Sequence, residues 1–299
     1  MILPPIMRLI GSKARQRKNI LPIINRYPRE LYVEAFGGAG GLFFGKKPEP
    51  AEVYNDSNSA FVSLMRCVRS TEKLASLEWI LELTPVSREL WYEARDMARF
   101  YMRGQFDEFL ALKKTAGLDE YENDVVAAFS VFYAQNCGFG GSFLHSFGGG
   151  GTGQSANGTI HVYETRREAL RQYCRRLRTV SIENLDALEC IDKYDHSTTL
   201  FYLDPPYIMD APHSDSDAKV YGGNNIDNEE LVERLLKLKG RFVLSCYDDD
   251  VFAPLAEVAT RYEFTALSTV CQKAAKTHEG TFDRLEVVYA SKIDERRLF

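Results

Sequence analysis

Residues 31–56 read LYVEAFGGAGGLFFGKKPEPAEVYND. The run 31–36 has the aromatic and β-branched character of a short strand and stops at Gly37-Gly38-Ala39-Gly40-Gly41. A second strand-like run, 51–56, ends on Asp56, and an amphipathic helix is expected from about Asn58 to Arg69. Strand, glycine turn, strand ending on an acid, helix: this order opens a doubly wound parallel sheet. The alternation resumes late in the chain, with strand-like runs at 180–184, 199–203, 241–246, 262–267 and 285–290. Helical runs at 187–194, 227–239 and 249–259 separate most of them. The last two strands follow one another without a helix, which predicts an antiparallel hairpin at the end of the sheet.

The stretch between has a different character. From about Thr71 to Cys137 four helical patterns follow one another with no strand, including one over 105–117, and Pro85 and Gly104 punctuate them. They read as a helical insertion into the α/β fold. The insertion closes with a loop, 138–158, that holds nine of the 21 glycines, two Phe-Gly pairs and His145. Such a segment buries too little apolar surface to order alone and suits ordering on a partner. Residues 164–180 then read as one amphipathic helix with Leu170, Tyr173 and Leu177 on its apolar face. Arg167, Arg171, Arg175 and Arg178 recur along one side of it, a stripe that could follow a phosphate backbone.

Composition excludes several classes. Of 299 residues, 45% are hydrophobic and 26% charged, so the chain is not disordered, collagen-like or a disulfide scaffold. No apolar run approaches the ~18–20 residues of a membrane span, and the N-terminus lacks a secretory pattern. Six scattered cysteines form no CxxC pair, which fits reduced thiols in a cytosol and neither a zinc site nor a disulfide framework. The net charge of −5 hides local excess. Residues 1–30 carry seven basic side chains, Arg15, Arg17 and Lys18 among them, against Glu30 alone, and residues 164–178 carry six arginines against two acids. Local basic surfaces of this kind can hold phosphate whatever the total.

The chemistry concentrates at Asp204-Pro205-Pro206-Tyr207, directly after the apolar run TLFYL. Two prolines end the strand, and each restricts the residue before it. A carboxylate, a main-chain carbonyl and an aromatic ring are thereby displayed at the carboxyl edge of the sheet, where open α/β folds bind ligands. Acceptor-only oxygens on Asp204 and Pro205 suit the two hydrogens of an exocyclic amine, and Tyr207 suits a flat ring. Adenine and cytosine both qualify. The other half of the site is Glu34-Ala35-Phe36-Gly37-Gly38-Ala39-Gly40, whose glycines permit close ligand approach, with Asp56 placed for a ribose diol. By itself this half serves a nicotinamide dinucleotide equally well.

Together the halves carry a resemblance. Phe36-Gly37-Gly38-Ala39-Gly40 resembles the FxGxG S-adenosylmethionine motif, and Asp204-Pro205-Pro206-Tyr207 the DPPY motif, of amino-group DNA methyltransferases. Cofactor motif first, insertion next and DPPY last is similar to the order in the alpha group, the Dam-like adenine N6 methyltransferases. Gly11-Ser12-Lys13, Asn55-Asp56-Ser57-Asn58, Asn184-Leu185-Asp186 and Gln135-Asn136-Cys137-Gly138-Phe139 resemble further family segments, although Gly-Ser-Lys stands for the usual GGK and Ala35 for a usual proline.

The resemblance implies a Rossmann-like α/β methyltransferase sheet with an inserted target-recognition subdomain, divided as 1–68 (catalytic, first part), 69–160 (insertion with the glycine loop) and 161–299 (catalytic, second part). It implies S-adenosylmethionine as cofactor, with Lys13, Glu34 and the Phe36–Gly40 turn at its methionine end, Asp56 at the ribose and Asp186 at the adenine. It implies methylation of adenine N6 in double-stranded DNA, the base everted onto Asp204, Pro205, Pro206 and Tyr207. Arg15, Arg17, Lys18, Asn136 and the four-arginine stripe become the DNA contacts. No metal and no membrane are called for, the setting is a bacterial or phage-infected cytosol, and a monomer is favoured. The competing expectations are N4-cytosine methylation, a nicotinamide-dependent dehydrogenase, and a DNA-binding module that has lost activity.

Overall fold

The computed structural model describes residues 2–9, 11–102, 120–139, 146–148, 154–206, 226–266 and 284–293. After a 3-10 turn (Lys13–Gln16) come α1 (Arg17–Ile24), β1 (Leu31–Glu34), β2 (Glu52–Asn55) and α2 (Ser59–Arg69). Four helical elements of the middle region are α3 (Thr71–Leu83), α4 (Arg88–Met102), α5 (Glu120–Cys137) and α6 (Gln154–Glu168). The chain continues through α7 (Leu170–Leu177), β3 (Val180–Glu183), α8 (Ala187–Tyr194), β4 (Thr199–Leu203), α9 (Asn228–Leu236) and β5 (Arg241–Tyr247). A 3-10 segment (Asp250–Glu257), β6 (Ala259–Ala266) and β7 (Arg284–Ser291) complete it.

The strands form one seven-stranded sheet in the order β3-β2-β1-β4-β5-β7-β6. The first five are mutually parallel, and β7 lies antiparallel between β5 and β6. This departs from the 3-2-1-4-5-6 order of dinucleotide-binding sheets. The expected hairpin of the last two strands is present, but the final strand is not at the rim: β7 inserts inward and leaves β6 as the edge.

Side chains alternate across the sheet with a period of two. Tyr32, Tyr54, Leu200, Tyr202, Val243 and Val288 join one core cluster, while Val33, Val53, Phe201, Leu203, Leu244 and Val287 join another on the opposite face. The second face is covered by α8, α9 and the 3-10 segment through Ile191, Leu231, Leu235 and Leu255. The first is covered by α1, α2 and α7, and its cluster runs on into α4 and α5 through Trp91, Tyr101 and Tyr133. Helices α3, α4 and α5 therefore share one core with the sheet. Polar ties hold these helices to one another: Trp91 Nε1 donates to the Ala134 carbonyl at 2.9 Å, and the Tyr133 hydroxyl donates to the Pro85 carbonyl at 2.8 Å.

Local signals explain the boundaries. Asn58 caps α2 by accepting from the Ala60 amide at 3.0 Å, Ser70 caps α3, and Asp227 caps α9. Pro254 lies inside the expected helix 249–259, which forms only a 3-10 segment, consistent with the amide that proline lacks. The expected single helix 164–180 is two helices: α6 ends at Glu168, and Ala169 separates it from α7 with no side-chain cap. Moreover α6 starts at Gln154, inside what composition suggested was all loop. The helix expected over 105–117, His145 and most of the glycine loop fall outside the described residues.

Candidate active site

In a parallel sheet the ligand crevice opens beyond the carboxyl ends of the strands, where the strand order reverses. Here that point lies between β1 and β4, which pair in register with Glu34 opposite Tyr202. The Phe36–Gly41 turn and Asp204-Pro205-Pro206 thus leave the same edge on adjacent strands. Both line one cavity of about 1070 Å³, counting its open mouth.

The turn is held from beneath by β2. The Tyr54 ring occupies the space beside Gly37, where an added Cβ would lie 2.2 Å from it, and its hydroxyl donates to the Gly38 carbonyl at 2.6 Å. Gly38 and Gly40 have φ of 49° and 68°, a region that favours glycine. Gly40 closes the turn by donating to the Gly37 carbonyl at 2.8 Å and is not part of the cavity wall, unlike Phe36, Gly37, Gly38 and Ala39.

Two asparagines tie the neighbouring walls together. Buried Asn55 donates to the carbonyls of Ala35 (2.9 Å) and Leu185 (3.2 Å) and accepts from the Leu185 amide at 2.9 Å. Asn184 donates to the Asp56 carbonyl at 2.9 Å. The acids they position both line the cavity. Asp56 accepts from the amides of Gly38 (2.7 Å) and Asn58 (2.8 Å), and burial, against those two bonds, pushes its carboxyl up to about 6. Asp186 caps α8 through the Leu188 amide at 2.8 Å. A carboxylate has about four acceptor positions, so both retain capacity for a ligand's hydroxyl or amine hydrogens.

At the other end of the cavity stands a cluster of charge. Lys13, from the 3-10 turn and only 6% exposed, puts its ammonium 2.9 Å from Asp204 Oδ1 and 3.3 Å from Glu286 Oε1. Burial pulls the ammonium's pKa down, but the two carboxylates prevail and raise it above the ordinary lysine value. Beside them Tyr202 and Ser245 share a buried hydrogen bond of 3.1 Å. Glu34 is buried, accepts from the Tyr32 hydroxyl at 2.8 Å, and is pushed up to about 8, chiefly by burial. Burial therefore favours the protonated form of Glu34.

Sequence reasoning missed Glu286 and Tyr54, and named Asn55 only as part of a family-like segment without its bracing role. The signal for Glu286 was an acid inside the apolar run Leu285–Ala290. No local pattern could show that β7 folds back to reach Lys13.

Other expected site residues lie elsewhere. Asn136 is fully buried and accepts from the Arg166 guanidinium at 2.7 Å and the Arg8 amide at 3.3 Å, so here it braces the interior. Arg17 Nε donates to the Gly41 carbonyl at 2.6 Å and props the glycine turn. Arg167 pairs with Glu82 and Glu164, and Arg171 with Glu78, so the expected stripe is split between two helices and half of it is paired within the chain. Arg15, Lys18, Arg175 and Arg178 are exposed. Tyr207 lies outside the described residues.

Bare glycine main chain, a carboxylate at the β2 end, a second beyond β3 and a lysine–carboxylate cluster fit a nucleoside-bearing sulfonium with an amino-acid tail. The fold and site thus define a methyltransferase-type α/β enzyme. One family profile, D12 class N6 adenine-specific DNA methyltransferase, matches residues 9–269, and the chain belongs to this family. It methylates adenine N6 in DNA, with S-adenosylmethionine as methyl donor. No curated protein matched the chain. Family and strand order correct the cytosine and dehydrogenase alternatives. Among the described residues no cluster suits a metal ion, and no helix is long and apolar enough to cross a membrane.

Proposed function

We propose that the chain methylates adenines of duplex DNA, each base everted into the cavity between β1 and β4, with Asp204 and the Pro205 carbonyl as acceptors of the N6 amine. The observation that carries this reading is the meeting of the glycine turn and Asp204 on adjacent parallel strands around one cavity. The chain's residues would hold the cofactor by the Gly37–Ala39 main chain, by Asp56 at the ribose hydroxyls and by Asp186 at the adenine. Bound there, S-adenosylmethionine supplies a methyl group while its sulfur keeps the bonding electron pair.

Asp204 and Pro205 act on the amine. Accepting both of its hydrogens draws it out of conjugation with the ring and frees the nitrogen lone pair. The methylated nitrogen carries positive charge until a proton leaves, and the Asp204 carboxylate is the nearest base. Eversion costs roughly a few kcal/mol, and stacking of the base on Tyr207 would recover roughly 1–3 kcal/mol. Exposed Arg15, Lys18, Arg175 and Arg178 are the phosphate contacts, and the segment around the glycine loop reads the site. Among the described residues, five free, buried cysteines support work in a reducing cytosol.

Asp204→Ala tests the assignment. It should lower turnover by roughly 10²–10³ or more while S-adenosylmethionine binding, measured by calorimetry, stays within about threefold. Near-normal turnover would remove Asp204 from the reaction.

A further inference from the structure

We propose that Glu286 is a positioning residue for methyl transfer: it shares the Lys13 ammonium with Asp204 and so keeps Asp204 a strong acceptor for the target amine. This rests on the assignment of Asp204 as that acceptor. Glu286 lies beyond the span 9–269 that the family profile matches. It sits on β7 among Val287, Val288 and Ala290 and is 5% exposed. A carboxylate there costs several kcal/mol in desolvation, and an apolar residue would serve stability as well or better. Its placement calls for a role other than packing.

The geometry supplies one. Lys13 Nζ lies between Asp204 Oδ1 at 2.9 Å and Glu286 Oε1 at 3.3 Å, with the Gly11 carbonyl at 3.4 Å. The three groups come from the N-terminal turn, the end of β4 and the antiparallel strand β7. Among the described contacts the Lys13 ammonium is divided between two carboxylates, Asp204 at the cavity and Glu286 behind it. A Lys13–Asp204 pair alone would be neutral, and the ammonium would compete with the amine for the whole of the carboxylate.

The methylation step magnifies that difference. As the bond from N6 to the methyl carbon forms, the bond from that carbon to sulfur breaks, and the positive charge passes from sulfur to N6. The charge therefore moves toward Asp204. An Asp204 carboxylate that shares its ammonium with Glu286 offers the amine more of its own negative charge, which is worth more in the transition state than in the ground state, so giving Lys13 wholly to Asp204 is felt in turnover.

Glu286→Gln keeps the shape and a hydrogen-bond acceptor but removes the charge. Single-turnover methylation should slow by roughly 10- to 100-fold, with S-adenosylmethionine and DNA dissociation constants within about threefold. In a Lys13→Met background the same change should slow the remaining rate by less than about twofold, because both residues act through one ammonium. A urea-unfolding cycle on the same four proteins, free of ligand, should show the two sites coupled. Turnover within about twofold of the parent, or an equal loss in both backgrounds, would overturn the proposal. So would coupling in unfolding with none in turnover, which is the mark of a purely structural pair. If Glu286→Gln does not fold, Glu286→Asp carries the same cycle, its shorter reach giving a partial loss only when Lys13 is present. A chain inactive as Asp204→Ala but normal as Glu286→Gln refutes this inference alone, whereas normal turnover in both refutes the assignment of Asp204.

Discussion

Two lysines on the same face of the sheet are each held by two carboxylates and a main-chain carbonyl, at opposite ends of the strands. Lys46, at the amino end, donates to Glu52 at 2.6 Å, Glu49 at 3.0 Å and the Lys47 carbonyl at 3.1 Å. Its ammonium lies 4.1 Å from the centre of the Tyr32 ring, and Arg176 completes the cluster by bonding Glu52 at 2.5 Å and 2.8 Å while resting on Phe43. Lys13, at the carboxyl end, has longer contacts and lines the cavity. The same residue types give a sealed joint in one place and a cluster open to the cavity in the other. The difference is what roofs them: aromatic rings close the first, and a glycine turn leaves the second open. Burial alone therefore does not distinguish the two clusters; the open crevice of bare main chain beside Lys13 does.

The contrast breaks most sharply at Asp204, whose removal should abolish nearly all turnover and little cofactor affinity. Glu52→Ala should do the reverse. It leaves Lys46 and Arg176 buried without their shared carboxylate and should cost about 3–5 kcal/mol in urea unfolding, while turnover per folded molecule stays near normal. A Glu52 variant that is stable but inactive would mean that the two ends of the sheet are not separate in function.

Glu34 sharpens the comparison by pH. The folded chain keeps its proton up to about pH 8, whereas an ordinary carboxyl loses it near 4.5. This group therefore contributes stability below pH 4.5 that is lost as pH rises toward 8. Glu34→Gln removes the loss, so the variant should gain on the parent between pH 5 and 8, by an amount on the order of a few kcal/mol in unfolding free energy. Equal pH profiles would show that Glu34 is ionised in the fold. The smallest effect belongs to Asp56. Its carboxyl, at about 6, must be charged to accept the ribose hydroxyls best, so S-adenosylmethionine affinity should weaken as pH falls through 6. In an Asp56→Asn protein that dependence should vanish, as calorimetric titrations at several pH values would show.

Much of the site was legible in the chain. The glycine run after β1, Asp56 after β2 and Asp204 after β4 are local signals, because each depends on where a strand stops and a turn begins, whereas Asp186 before α8 was named through the family resemblance. Local signals stop short where a residue's surroundings come from afar. Asn136 sits in a motif-like stretch, yet Arg8 and Arg166 enclose it, and their arrival is a matter of packing. The arginine repeat from 167 to 178 assumed one straight helix, and the break at Ala169 with the acids of α3 alongside changed its meaning.

The chain alone determined the alternation of strands and helices, the parallel character of the sheet and the acids at the strand ends, because residue periodicity and turn chemistry act over a few positions. Only the tertiary structure decided that β7 enters between β5 and β6, and that Glu286 thereby meets Lys13 and Asp204. Strand order and the approach of charges from three distant segments are set by how two apolar faces are covered at once, and no window of local sequence contains that information.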